Sequence, residues 1–283
     1  MENGEKKRFF ELLDSRSAMV VGGIAGLLIL CTIGFIVLGI MALTKGVNCR
    51  AAAAGENKAV ATAQTADTAN AQPEATPPPK TDKPKVELFV MSYCPYGLQM
   101  EKAYLPVMEL LKKRAEMDIK FVSYAMHGKK EIDENTRQYC IQKDQVAKLN
   151  KYLTCFTGKD DYAGCLKEAG VNESQVNTCM AKADTQFGIT AKFNDQASWL
   201  SGQFPMYQVH AADNEKYGVQ GSPTLVINGV QSEVDRSPEA VKQAICASFT
   251  KAPAECDTAL STQSAAPSFG VGTAGASTDA SCG

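Results

Sequence analysis

The chain has 283 residues, 45% of them apolar, and a formal net charge of -2, which allows one or two domains with a sizeable core. Nothing in that balance suggests the basic patch of a nucleic-acid binder, so no nucleic-acid partner is expected. Ten cysteines are many for a reduced cytosolic protein and ordinary for an exported one; with two histidines and no Cys-x-x-Cys pair, neither a metal site nor another cofactor is expected.

Residues 1–16 form a short charged head. Residues 17–44 carry no charge and are rich in Val, Ile, Leu and Gly, a run longer than the ~20 residues a spanning helix needs. They read as an uncleaved single-pass anchor, with the head cytoplasmic. The alternative is a cleaved signal, because the Ala-rich stretch from Ala51 offers small residues, although it lies beyond Lys45 and Arg50. Lys6, Lys7, Arg8 and Arg16 before the run, against Lys45, Arg50 and Lys58 after it, give a weak positive-inside bias. The cysteine-rich remainder argues more strongly that everything after the anchor is extracytoplasmic, periplasmic or at the cell surface. Cys31, inside the run, is a small apolar filler.

Residues 45–85 are dominated by Ala, Thr, Gln and Pro and end in three prolines and KTDKPK, a composition that cannot bury a core and reads as a flexible linker. The domain is expected over 86–257. Residues 86–91 (VELFVM) are a buried strand, and 101–113 carry apolar residues at helical spacing. Residues 119–124 alternate as the next strand, and about 131–217 read as a helical insertion. A strand at 224–227 turns at Asn228-Gly229, and Ser237-Pro238 opens a last helix as cap and first helical residue. Residues 258–283, mostly Ser, Ala, Gly and Thr, read as a disordered tail carrying Cys282.

Two short segments carry chemistry. Cys94-Pro95-Tyr96-Gly97 follows the first strand and opens a helix. A cysteine there meets unpaired backbone N–H groups and the positive end of the helix dipole, and both favour thiolate, the nucleophilic form. Pro95 suits the first turn because its missing N–H is not needed there. Read blandly, Cys94 is a small residue packed at a strand end. The second segment, ending in Ser222-Pro223-Thr224, stands directly before a strand, where a cis-proline fits and an ordinary trans-proline turn is the alternative.

Taken together, Cys-Pro-Tyr after a first strand and Gly-x-x-Gly-Ser-Pro-Thr before a later one resemble the thioredoxin superfamily, and the helical insertion between them resembles its DsbA-like branch. His127-Gly128, Asn135 and Cys140 after the second strand are similar to the signature of the gamma-interferon-inducible lysosomal thiol reductase family and its bacterial relatives. The resemblance covers about residues 86–250. It implies an α/β thioredoxin-like fold with a helical insertion, Cys94 as nucleophile, Pro223 as the cis-proline facing it, and Ser222 binding a substrate strand. Gly97 stands where that family has its second active-site cysteine, and Ala125 and Ile132 replace two more. A dithiol enzyme releases its substrate with that second thiol; here Cys94 attacks but another thiol must resolve.

Beyond the anchor there are nine cysteines, an odd number. Cys246 and Cys256 flank the end of the last helix, and Cys140–Cys179 with Cys155–Cys165 is the nested pairing that suits a folded-back bundle; other pairings stay open. Cys49, Cys94 and Cys282 remain, so either of the two outside the motif is a possible resolving thiol. The expected function is that of a membrane-anchored monothiol thiol-disulfide oxidoreductase acting on protein or small-molecule thiols and disulfides. Its alternative is a redox-inactive thioredoxin-fold module that binds peptides.

Overall fold

The computed structural model describes residues 77–274, which fall in one compact unit, Asn70–Gly283. The expected head and anchor lie outside the described residues, as do most of the linker and Cys31, Cys49 and Cys282. Among the described residues no helix is long and apolar enough to cross a membrane.

Strand β1 (Lys85–Val90) is buried from Val86 onward and lies in the middle of a four-stranded sheet. Parallel β2 (Glu116–Phe121) flanks it on one side and antiparallel β3 (Thr224–Ile227) on the other, and β4 (Val230–Gln231) adds to β3 through the turn at Asn228-Gly229. Asn228 and Gly229 both have positive φ, as a tight hairpin turn requires. Helix α1 (Pro95–Leu111) connects β1 to β2, and helix α7 (Pro238–Ala247) closes the chain order; α1 packs against α7. This is the thioredoxin-like topology, β-α-β followed by β-β-α.

Strand β2 begins and ends three residues before the expected 119–124. Its alternation runs through Met117, Ile119 and Phe121, all buried, with Glu116, Asp118 and Lys120 between them. Past Phe121 side chains take over the outer edge: the Asn214 amide donates to the Phe121 carbonyl at 2.9 Å and accepts from the Ser123 N–H at 3.2 Å. His210 Nδ1 accepts the Phe121 N–H at 3.1 Å, and burial holds its imidazole neutral by lowering its pKa to about 4.

The insertion contains α2 (Lys129–Lys159), kinked at Gln145, then α3 (Tyr162–Ala169), α4 (Glu173–Phe187), α5 (Ile189–Asn194) and α6 (Ala211–Tyr217). It is not helical throughout. After a short 3-10 turn at Gln196–Ser198 the chain reverses at Ser201 and Gly202, both at positive φ, and Pro205 has no N–H to continue a helix. Asp161 and Asn172 cap α3 and α4 with side-chain oxygens, which is why those short segments start where they do. Disulfides staple the block: Cys140–Cys179 joins α2 to α4 and Cys155–Cys165 joins α2 to α3, with Cα separations of 5.7 and 5.5 Å. Cys246–Cys256, at 5.9 Å, folds the chain back after α7.

Two boundaries differ from expectation because backbone groups find partners. At the linker's end, Thr81 exchanges hydrogen bonds with Ser248 and Thr250 at 2.9 and 2.8 Å, so the domain begins before residue 86. The expected disordered tail is, over 258–274, a strap held on the domain. Glu239 draws in Leu260 N–H at 2.8 Å, Ala265 bridges Thr273, and Ala266 is buried.

Beneath this surface α1 carries Glu101, fully buried with no hydrogen-bond partner for either oxygen. Burial first, and the nearby Glu134 carboxylate second, push its pKa up to about 8. Glu134 is itself buried, but takes donors from Tyr152 Oη at 2.7 Å, Gln138 Nε2 at 3.0 Å and Arg137. Because the folded state keeps the Glu101 proton that an unfolded chain loses near pH 4.5, stability falls as pH rises from about 4.5 to about 8. Urea unfolding of wild type and Glu101→Gln at pH 5 and pH 8 checks this. Relative to the variant, wild type should lose on the order of 3 kcal/mol between those pH values, and an unchanged difference would contradict a buried, protonated Glu101.

Candidate active site around Cys94

The end of β1 and the start of β3 meet at one sulfur. Cys94 caps α1 in an extended conformation (φ -69°, ψ 123°), and its Sγ accepts the Gly97 N–H at 3.4 Å. A turn delivers it there, with Cys94 N–H bonded to the Met91 carbonyl and Leu98 N–H to the Cys94 carbonyl, both at 2.9 Å. Pro95 holds the first helical position. The sulfur thus lies against the positive end of a 17-residue helix, where negative charge is stabilised. Cys94 is half-buried and is the one free cysteine among the described residues.

Across from it, Ser222-Pro223 is a cis peptide bond. The Ser222 carbonyl lies 3.5 Å from Cys94 Sγ, and the Ser222 hydroxyl accepts the Met91 N–H at 2.9 Å. A Cβ built on Gly97 would stand 2.6 Å from that hydroxyl and 3.1 Å from the Met91 carbonyl. Position 97 is therefore sterically reserved for glycine while Ser222 holds this rotamer. A serine before a proline signals none of this in the sequence.

The rest of the neighbourhood comes from the insertion and the strap. Ser92 N–H donates to Asn135 Oδ1 at 3.1 Å, and Ser92 Oγ lies 3.4 Å from the Glu131 carbonyl, so the start of α2 holds the segment leading to Cys94. His127 pairs with Glu131, 2.5 Å apart, and Gly128 takes φ 71° to turn into α2. Tyr124 Oη donates to the Gln220 carbonyl at 2.9 Å, just before Ser222. Cys140 belongs to the disulfide core rather than to the site.

The strap reaches the site directly. Ser268 N–H donates to the Pro95 carbonyl at 3.1 Å, and Phe269 packs edge-on against Tyr93 and Phe156 at 5.5 and 5.3 Å. Lys102 on α1 gives its three ammonium protons to the Ala266, Ser268 and Gly270 carbonyls at 2.7, 2.8 and 3.1 Å. The one sequence signal was Phe269, a lone aromatic in a run of small residues. Among the described residues no cluster of His, Cys, Asp and Glu could hold a metal ion.

No protein-family model and no curated protein matches the chain. Among solved structures it is similar to the reduced form of a disulfide bond oxidoreductase (DsbG) from Mycobacterium tuberculosis, at 16% identity over 66% of this chain and 88% of that one, TM-score 0.44. It is also similar to reduced DsbA from Mycobacterium tuberculosis (17%, 66% and 93%, TM-score 0.43) and to oxidised BdbD from Bacillus subtilis (14%, 64% and 92%, TM-score 0.40). The chemistry of the site rests on the geometry of Cys94 and its neighbours rather than on these likenesses.

The Gly97–Ser222 contact is testable as a coupling. Gly97→Ala should lower stability by about 1–3 kcal/mol, the usual range for overpacking, and should cost markedly less in a Ser222→Ala background. Urea unfolding of the two single variants and the double variant should give a coupling above about 0.5 kcal/mol; strictly additive effects would show that the hydroxyl does not reserve the position.

Proposed function

We propose that the chain is a membrane-anchored, extracytoplasmic thiol-disulfide oxidoreductase of the monothiol type. The observation that carries this is a free, half-buried cysteine at a helix N-terminus, 3.5 Å from the carbonyl of Ser222 beside Pro223. Cys94 thiolate attacks one sulfur of a disulfide R–S–S–R; a bond from Sγ to that sulfur forms, the S–S bond breaks, and the second sulfur leaves with the electron pair and takes a proton from water. The dipole of α1 and the Gly97 N–H stabilise charge at Sγ as the reverse step regenerates the thiolate. An extended substrate pairs with the backbone at Ser222, with Pro223 at its side.

With Gly97 next to Cys94, a second thiol from elsewhere completes the cycle. It attacks Cys94 Sγ in the mixed disulfide and releases R–SH; a further external thiol then bonds to the resolving sulfur, breaks the new disulfide and frees Cys94 as thiolate. An external thiol serves, as would Cys282 or Cys49. The strap favours Cys282 over Cys49. Residue 268 is bonded to Pro95, and the eight residues from 274 to 282 span up to about 26–29 Å when extended. Residues 79–81 instead contact Asn228, Ser248 and Thr250, near the start of β1 and away from Cys94, and Cys49 stands 28 positions before residue 77, a far longer separation along the chain, which lowers effective concentration. The same lack of a thiol at 97 is what favours the other reading, a peptide-binding module without redox chemistry.

Intact-mass measurement of the full chain mixed with 2-hydroxyethyl disulfide separates these readings. Peptide mapping should place an adduct on Cys94, and the segment carrying position 94 should be unlabelled in Cys94→Ser, whatever forms on Cys49 or Cys282. The adduct should persist longer in Cys282→Ser than in wild type, while Cys49→Ser leaves its lifetime unchanged. No adduct on Cys94 in wild type leaves the binding module.

A further inference from the structure

A groove of about 430 Å³ runs from Pro223, Thr224 and Leu225 past Met100 to the β4–α7 loop, where it meets Glu233 and Arg236. Pro223 follows the residue whose carbonyl touches Cys94 Sγ, so whatever is attached to a sulfur bonded to Cys94 has this groove as a neighbour. Arg236 is its one cation. Its guanidinium lies 4.8 Å over the ring of Tyr96, two residues from Cys94, and donates at 3.2 Å to Gln99 Oε1. Gln99 is fixed in turn, giving its amide to the Ala265 carbonyl of the strap at 2.7 Å.

Arg236 makes no salt bridge among the described residues. A guanidinium has five donors in a fixed fork matched to a carboxylate, and Gln99 uses one nitrogen. Glu233 is the groove's carboxylate, and it is exposed, where water and salt screen it. Arg236 is half-buried and held by the Tyr96 ring and Gln99, so the fixed charge in the groove is positive.

Resting on the reading of Cys94 as nucleophile, we infer that Arg236 is a specificity residue that receives a carboxylate carried next to the reacting sulfur of the thiol or disulfide partner. The carboxylate belongs either to a small acidic thiol or to an Asp or Glu beside a cysteine in a protein; the recognition chemistry is the same. Cys94 Sγ still forms the one new S–S bond and the substrate disulfide still breaks, its second sulfur leaving with the electron pair. The carboxylate orients the disulfide and takes no part in that exchange.

Rates of Cys94 adduct formation with dithiodiglycolate (anionic), 2-hydroxyethyl disulfide (neutral) and cystamine (cationic), each divided by the rate for an unstructured cysteine peptide, test this. Wild type should prefer the anionic disulfide over the cationic by about five- to tenfold, the range of a partly exposed charge-assisted contact. Arg236→Gln should remove that preference. If Arg236 merely braces Tyr96, all three rates shift together and their ratio survives, which overturns the inference, as does a wild type with no charge preference. A peptide disulfide with Glu beside its cysteine, compared with the same peptide bearing Gln, identifies the source. An Arg236-dependent preference in this arm points to protein substrates, and one confined to the small disulfides points to an acidic thiol. Failure of every disulfide to label Cys94 would instead sink the proposed function.

Discussion

The Ser222 hydroxyl accepts a hydrogen bond from the Met91 N–H at 2.9 Å, and in doing so occupies the space a side chain at position 97 would need. That one contact fixes the end of β1 against the entry to β3 and brings the Ser222 carbonyl to 3.5 Å from Cys94 Sγ. It also leaves no room for a side chain at position 97 while that rotamer holds. The proposed need for a second thiol from outside the motif follows from the glycine at that position.

Three layers hold this contact in place. The sheet supplies rigidity, since β1 is buried and paired on both sides. The insertion supplies the wall, through Asn135 and Glu131 on the segment before Cys94 and through two disulfides that keep α2, α3 and α4 together. The strap supplies a third support, with Phe269 between Tyr93 and Phe156 and Lys102 satisfied by three carbonyls. Edge-to-face aromatic contacts contribute about 0.5–1.5 kcal/mol each beyond burial, which adds to the hydrogen bonds that dock this short segment of small residues.

Short-range features were the legible ones. Cys94-Pro95 at a strand end, Ser222-Pro223 before a strand and Ser237-Pro238 at a helix start each depend on a few consecutive residues, and the structure places all three at such junctions. What sequence reasoning missed depends on contacts far apart in the chain. The strap looks disordered because its composition is that of a linker, yet its carbonyls are held by Lys102 and Gln99, some 165 residues earlier. The end of β2 was misjudged because Asn214 and His210 take over its edge, and the role of Ser222 Oγ depends on Met91 and Gly97. Arg236 shows its setting only when Tyr96 and Gln99 are brought beside it.

In the proposed function the fold turns Cys94 into a nucleophile by placing its sulfur at the N-terminus of α1, within reach of a disulfide. The most direct test of this is the second-order rate constant of the folded protein with 2-hydroxyethyl disulfide at pH 7, compared with that of a peptide spanning residues 92–97. Helix-terminal charge stabilisation and an accessible sulfur predict a rate at least about tenfold above the peptide's. A rate equal to or below the peptide's would contradict the account.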